Sequence, residues 1–153
     1  MVKAVLLDVD NTLLDFNLSA EGAIKDGFRD LGLPFSDRVM PEFLRLNEEL
    51  WHKIERKEMT REDLHAVRWK TIFNALGIVA DGLEMEQLFL KYLKEHAVPV
   101  DGAFDLVQYL AGKYELFTAS NAPYLQQVQS VQNDDECVVL HTVDDALHVL
   151  RGE

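Results

Sequence analysis

The chain has 153 residues, 48% of them hydrophobic, and a formal net charge of −12. That length suits one domain, or a small domain with an insertion. The acidic balance argues against nucleic-acid backbones and anionic membrane surfaces, both of which reward basic patches, but a phosphorylated small molecule stays open because a metal ion can reverse the local potential. In chain order, residues 3 to 9 read as a strand, and from residue 19 to about 96 the pattern is helical. Ser19 is placed to cap a first helix with Ile24, Phe28 and Leu31 on its apolar face, ended by Gly32. Pro41 suits the first turn of a second helix that carries Phe43, Leu44, Leu50, Trp51 and Ile54. Thr60-Arg61-Glu62-Asp63 resembles a capping box and opens a third, with Leu64, Val67, Thr71 and Leu76 along one face and Gly77 after it. A fourth runs from Leu83 to Glu95 with Leu88, Phe89, Tyr92 and Leu93. Residues 103 to 113 form a further helix with Phe104, Val107 and Leu110 inward, and Glu115 to Ser120 returns to strand. A helix from Pro123 to about Gln132, a short strand from Cys137 to Leu140 and a last helix from about Val143 to Leu150 complete the reading. There is no repeat, low-complexity tract or long linker.

The single cysteine, Cys137, permits no intrachain disulfide and reads as a core residue of a reducing compartment. No stretch approaches the roughly 18 consecutive apolar residues of a membrane span. The N-terminal apolar run is interrupted by Asp8 and lacks a small-residue cleavage site, so it does not read as a signal peptide. A cytoplasmic location is expected.

The chemistry concentrates in Val5-Leu6-Leu7-Asp8-Val9-Asp10-Asn11-Thr12-Leu13-Leu14. An uninterrupted apolar run, as in a strand buried on both faces, ends in two acids spaced one apart and a hydroxyl residue. In open α/β sheets ligands bind at the C-terminal ends of strands. Side chains alternate along an extended chain, so Asp8 and Asp10 share a side, and one can act as nucleophile while the other handles protons. The plain alternative is a solvated turn whose acids serve as caps.

Asp8-Val9-Asp10-Asn11-Thr12 resembles the first signature of the haloacid dehalogenase superfamily, Asp-x-Asp-x-Thr. Leu116-Phe117-Thr118-Ala119-Ser120-Asn121 resembles its second, a strand ending in Ser or Thr. The segment from Pro99 to Tyr114 resembles the helix leading into that strand, and the likeness covers residues 1 to about 130. The resemblance implies a Rossmann-like parallel α/β core from residues 1–14 and 98–153, with residues 15–97 as an inserted all-helical cap. Such a cap acts as a lid over the aspartates, excluding water and selecting substrate. It implies Asp8 as nucleophile, Asp10 as acid/base, and Ser120, Asn121 and the backbone around Val9 as phosphate-binding groups. It also implies Mg²⁺ held by Asp8 and Asp10, the latter through its carbonyl, while Thr12 shapes the turn rather than touching substrate.

Two further signatures of that superfamily are missing. No Lys follows Lys113, so the third is absent. The acidic pairs Asp134-Asp135 and Asp144-Asp145 suit a turn and a helix start better than the fourth. Only 13 residues separate Asn121 from Asp135, whereas a βαβ crossover alone takes about 30. The three strands fall short of the five or more usual in the superfamily. The chain has lost an internal stretch, is a deletion product, or is a degenerate member; the first is favoured, with a junction expected between about residues 128 and 136.

The function expected is Mg²⁺-dependent hydrolysis of a small phosphomonoester through an aspartyl-phosphate. Leu13-Leu14-Asp15-Phe16, with Glu21, Trp51 and Arg61 to Arg68, resembles the cytosolic 5′-nucleotidase branch. Trp51 and Trp69 are expected in the core of the helical block, and Arg68 and Lys70 in solvent. A 2-haloacid dehalogenase fits less well because those relatives lack the second acid. A phosphomutase keeps both aspartates and stays possible. The rival from another class is a non-catalytic phospho-ligand binder or interaction module, which the missing Lys favours. The oligomeric state is left open.

Overall fold

The computed structural model describes residues 3–118. Ser120, Asn121, Cys137, both late acidic pairs, the expected third strand and the 128–136 junction lie outside the described residues. The chain divides into two compact units, one built from residues up to Ala20 and again from Lys94, the other from Glu21–Leu93.

The first unit is α/β. Strand β1 is Ala4–Leu7 and strand β2 is Glu115–Thr118. They pair in parallel as neighbours, with Ala4 opposite Glu115 and Leu7 opposite Thr118. Helix α5, Ala103–Ala111, lies in the connection that enters β2. Its Ala103 and Val107 pack with Leu13 and Leu116 into a small core. Val5, Leu7, Leu14, Val100, Phe104 and Leu110 close round that core. The period-two alternation of β1 aims Val5 and Leu7 at it and Leu6 away. Leu6 is 58% exposed, so among the described residues β1 is packed on one face, not on both as its unbroken apolar run suggested. The strand is also shorter than residues 3 to 9. It stops at Leu7 because the chain turns at Val9, whose carbonyl accepts the N–H groups of Thr12, Leu13 and Leu14 at 3.2, 2.9 and 3.0 Å.

The outgoing and returning segments of this unit are stitched together. Leu14 bridges Pro99 in antiparallel fashion. The Asp15 N–H donates to the Val98 carbonyl at 2.8 Å and the Val100 N–H to the Leu13 carbonyl at 2.9 Å. Helix α1, Phe16–Asp30, begins here. Its cap is Asp15 and not the expected Ser19, since Asp15 Oδ1 accepts the Leu18 N–H at 2.9 Å. Ser19 sits inside the first turn, buried. Its hydroxyl donates to the Asp15 carbonyl at 2.7 Å and accepts the Val98 N–H at 3.1 Å.

The second unit is helical, with most of α1, then α2 (Val39–Glu55), α3 (Arg61–Leu76) and α4 (Gly82–Glu95). Pro41 lies in the first turn of α2 as expected. The capping box at α3 is present, with Thr60 accepting from the Asp63 N–H and the Asp63 side chain reciprocating, and Gly77 ends the helix in the left-handed region. A Cβ on Gly82 would lie 2.6 Å from the Lys70 backbone nitrogen. Only glycine lets the start of α4 approach α3 that closely.

The core of this unit is aromatic. Phe28, Phe43, Trp69, Phe73 and Phe89 are buried, and the Phe43 and Trp69 rings stack with centroids 5.6 Å apart. Trp69 is therefore a core residue, as expected, whereas Trp51 is half-buried. The buried stripe of α3 is Leu64, Arg68, Trp69, Ile72 and Phe73. It is rotated from the expected Leu64-Val67-Thr71-Leu76 line because two large rings, Trp69 and Phe73, win the interior over β-branched Val67 and Thr71. Arg68 moves inward with them. It is buried, against the expectation of a solvated side chain, while Lys70 is exposed. Among the described residues no helix is long and apolar enough to cross a membrane.

Candidate active site

The C-terminal ends of β1 and β2 share one edge, since Leu7 pairs with Thr118. Asp8 leaves β1 at that edge with its side chain exposed, and the Thr12 hydroxyl donates to Asp8 Oδ2 at 2.9 Å. This bond spans the turn, so Thr12 orients one carboxylate oxygen of Asp8 and leaves the other free. Thr12 thus does more than shape the turn.

Val9 is buried and forms the anchor of the turn. Asn11 adopts a left-handed backbone, φ 59°. That reverses the chain so that the Asn11 N–H donates to the Leu14 carbonyl at 2.7 Å and Leu14 bridges Asp10. Asp10 is half-buried within this loop. Withdrawal from solvent pushes its carboxyl above the ordinary carboxylate range, and the neighbouring charge of Asp8 pushes it the same way. The two acids therefore interact electrostatically, and the turn that follows Val9 holds Asp10 through its bridge to Leu14. Asn11 was passed over in the sequence reading. The available signal was the residue type, because Asn enters the left-handed region far more readily than most residues.

The donor set fits a hard divalent cation. Mg²⁺ is commonly held by one or two carboxylates with waters and phosphate oxygens completing an octahedron. Asp8 supplies an exposed carboxylate, and a cation there would offset the repulsion between Asp8 and Asp10. Among the described residues, no group of three or more His, Cys, Asp or Glu side chains could hold a metal ion by itself. Ser120 and Asn121, the expected phosphate contacts, lie outside the described residues.

The helical unit holds a second polar cluster. Arg68 Nε donates to Glu86 Oε2 at 3.0 Å, Arg68 also bonds Glu86 through Nη2, and Nη1 donates to Asn47 Oδ1 at 3.1 Å. His65 Nδ1 lies 2.7 Å from Glu86 Oε1, and the Arg68 guanidinium sits 4.8 Å from the centroid of the Phe89 ring. Each polar side chain of this cluster has a partner, which marks it as structural.

No family model matches the sequence. The chain is 31% identical over 119 residues to the HAD-hydrolase YfnB of Bacillus subtilis (strain 168), covering 78% of this chain and 51% of that protein. It is 28% identical over 120 residues to the pyrimidine 5′-nucleotidase PynA of Streptococcus pneumoniae (strain ATCC BAA-255 / R6), again covering 78% and 51%. The chain thus spans about half the length of the curated relatives it matches. Among solved structures, YfnB bound to magnesium superposes with a TM-score of 0.74 at 30% identity, over 79% of this chain and 53% of that one. The L-2-haloacid dehalogenase from Xanthobacter autotrophicus superposes with a TM-score of 0.58 at 18% identity, over 99% of this chain and 53% of that one, and so shares the fold. With an Asp-x-Asp-x-Thr turn closing the first strand of a parallel α/β core, a helical insertion directly after it, and these relatives, the chain belongs to the haloacid dehalogenase superfamily.

Proposed function

We propose that the Asp8–Thr12 turn belongs to a Mg²⁺-dependent phosphomonoester hydrolase acting on a small phosphorylated metabolite, in a cytoplasmic setting. The observation that carries this reading is the unequal pair of carboxylates at one strand end. Asp8 is exposed and oriented by Thr12, as a nucleophile requires. Asp10 is withdrawn from solvent and raised toward the protonated form, as a general acid requires. Asp8 attacks phosphorus, and the ester P–O bond breaks. Asp10 gives its proton to the leaving oxygen. Asp10 then takes a proton from the water that attacks the aspartyl-phosphate, which releases inorganic phosphate and frees Asp8. The main-chain N–H groups around Val9, with Ser120 and Asn121, would hold the phosphoryl oxygens. When bound through Asp8 and the Asp10 carbonyl, Mg²⁺ supplies positive charge against the carboxylate and phosphoryl anions. A nucleoside 5′-monophosphate is the substrate class favoured, because one relative of similar length of match is a pyrimidine 5′-nucleotidase.

A second reading is a phospho-ligand binder without turnover, since an exposed carboxylate oriented by Thr12 beside a half-buried acid also suits binding of a metal–phosphate group. Release of inorganic phosphate from p-nitrophenyl phosphate and from nucleoside monophosphates, with Mg²⁺ and with excess chelator, separates the two. Metal-dependent release that Asp8→Asn abolishes, in a protein whose circular dichroism is unchanged, is the expected result. Release indifferent to chelator rejects the mechanism, and binding of phosphate analogues without release selects the second reading.

A further inference from the structure

Asn11 carries three constraints at once. Its φ of 59° places it in the left-handed region. Its N–H closes the turn onto the Leu14 carbonyl at 2.7 Å. Its side-chain Oδ1 accepts the N–H of Phe16, the first residue of α1, at 3.2 Å. Asp15 satisfies another orphan donor of that helix, the Leu18 N–H, at 2.9 Å. The first turn of α1 is therefore bonded at two donors to side chains of the segment that carries the acids. Asp10 is the residue directly before Asn11, and its own bridge is to Leu14. Any freedom in the Asn11 backbone becomes freedom in the placement of Asp10.

We propose that Asn11 is a positioning residue of the Asp8–Asp10 turn, which its side chain locks by gripping the Phe16 N–H at the head of α1. The role rests on the hydrolase reading of that turn. Glycine at this position satisfies the backbone requirement as well as asparagine does, so φ alone does not account for the side chain. The side chain adds a tie between the acid-bearing loop and the helix that leads into the inserted unit. A general acid must be held within a fraction of an ångström of its proton acceptor, and a loosened loop loses that precision without losing its ability to bind substrate.

The test compares Asn11→Gly and Asn11→Asp with the unaltered full chain. Asn11→Gly keeps the left-handed backbone and removes the acceptor. Asn11→Asp restores a side-chain oxygen in a residue that tolerates the same backbone. Amide hydrogen exchange is read at Phe16, at Asn11 or its replacement, and at Leu14. The Glu115 N–H, which donates to the Lys3 carbonyl at 3.1 Å in the sheet, serves as internal control. In Asn11→Gly the amides of residue 11, Leu14 and Phe16 are expected to exchange about tenfold faster or more, with Glu115 unchanged. Asn11→Asp is expected to restore them. With p-nitrophenyl phosphate and Mg²⁺, kcat of Asn11→Gly is expected to fall about tenfold with KM held within about twofold, the signature of a contact that matters at the transition state. The proposal is overturned if residue 11 and Leu14 keep their protection in Asn11→Gly, if Asn11→Asp fails to restore it, or if kcat is unchanged. A wild-type chain that releases no phosphate rejects the hydrolase reading, and the amide exchange still decides whether Asn11 locks the turn.

Discussion

Glu86 in the helical unit and Asp10 in the α/β unit are both withdrawn from solvent, and their carboxyls are driven in opposite directions. Burial raises Glu86, but hydrogen bonds from His65 and Arg68, with the Arg68 charge, outweigh it and leave the group below the usual carboxylate range. At Asp10 burial also raises the carboxyl, and there the neighbour is another acid, Asp8, which raises it further. The helical unit neutralises its buried charge from within. The turn after β1 leaves its charge for something else to neutralise. A fold that settles one acid and not the other tolerates a local cost at the second, which is the ordinary mark of a functional position.

The strongest way to break the comparison is Glu86→Ala. Removing the acid leaves Arg68 buried without its counter-ion, and the loss is expected to be about 3–5 kcal/mol, read by urea unfolding. A loss below about 1 kcal/mol would mean that water reaches Arg68 and that the cluster is not an internal charge balance. The pH dependence has a definite sign. Because the folded-state pKa of Glu86 lies below its ordinary 4.5, its contribution is fully present above that value. It is lost as pH falls through the lowered one, and Glu86→Ala should lack this acid-side decline.

Ser19→Ala sharpens the comparison, because Ser19 is a buried polar group of the α/β unit whose hydroxyl already has both its neutral partners, the Asp15 carbonyl and the Val98 N–H. The variant strands the Val98 N–H, and the expected cost is about 1–3 kcal/mol in the same measurement. An unchanged midpoint would show that the stitching of residues 13–15 to 98–100 by main-chain bonds alone suffices.

Asp10→Asn has the smallest expected effect and the most telling sign. A carboxyl raised above its ordinary 3.8 contributes stability that is fully present below that value and is lost as pH rises through the raised one. At neutral pH without metal the ionised group is therefore a cost. Asp10→Asn in chelator should melt at the same temperature as the parent or slightly above it near pH 7, with the difference closing as the pH approaches 3.8. A clearly lower melting temperature at neutral pH would mean that Asp10 is compensated after all, and the contrast with Glu86 would fail.

What could be read in advance followed the range of the forces involved. The Thr60–Asp63 box and the Gly77 stop are set by neighbours in sequence, and both are present. The parallel pairing of β1 with β2 follows from the long helical connection between them, which parallel neighbours require. Ser19 was misplaced because three residues near the start of α1, Asn11, Asp15 and Ser19, can each accept a hydrogen bond. Which one caps depends on where the chain turns after Val9. Arg68 was misplaced for a longer-range reason: an arginine enters a core only when Glu86 and Asn47, on two other helices, are waiting for it. Residue spacing on α3 carries no trace of those partners. At the site, the identities of Asp8 and Asp10 were legible from the motif. The bond from Thr12 and the part played by Asn11 were not, since both depend on the turn geometry.

Trp69 gives the molecule an optical asymmetry. Its indole Nε1 is buried with no hydrogen-bond partner among the described residues, and its rings lie against Phe28, Phe43, Phe73 and Phe89. An indole in so dry a setting emits at short wavelength and shifts to the red when water arrives. The other tryptophan of the chain, Trp51, also lies between Glu21 and Leu93. Tryptophan emission consequently follows the helical unit alone, while the turn with its two aspartates is silent in that signal. A fluorescence melt and a circular-dichroism melt of this protein need not coincide, and the gap between them measures how far the two units share one cooperative transition.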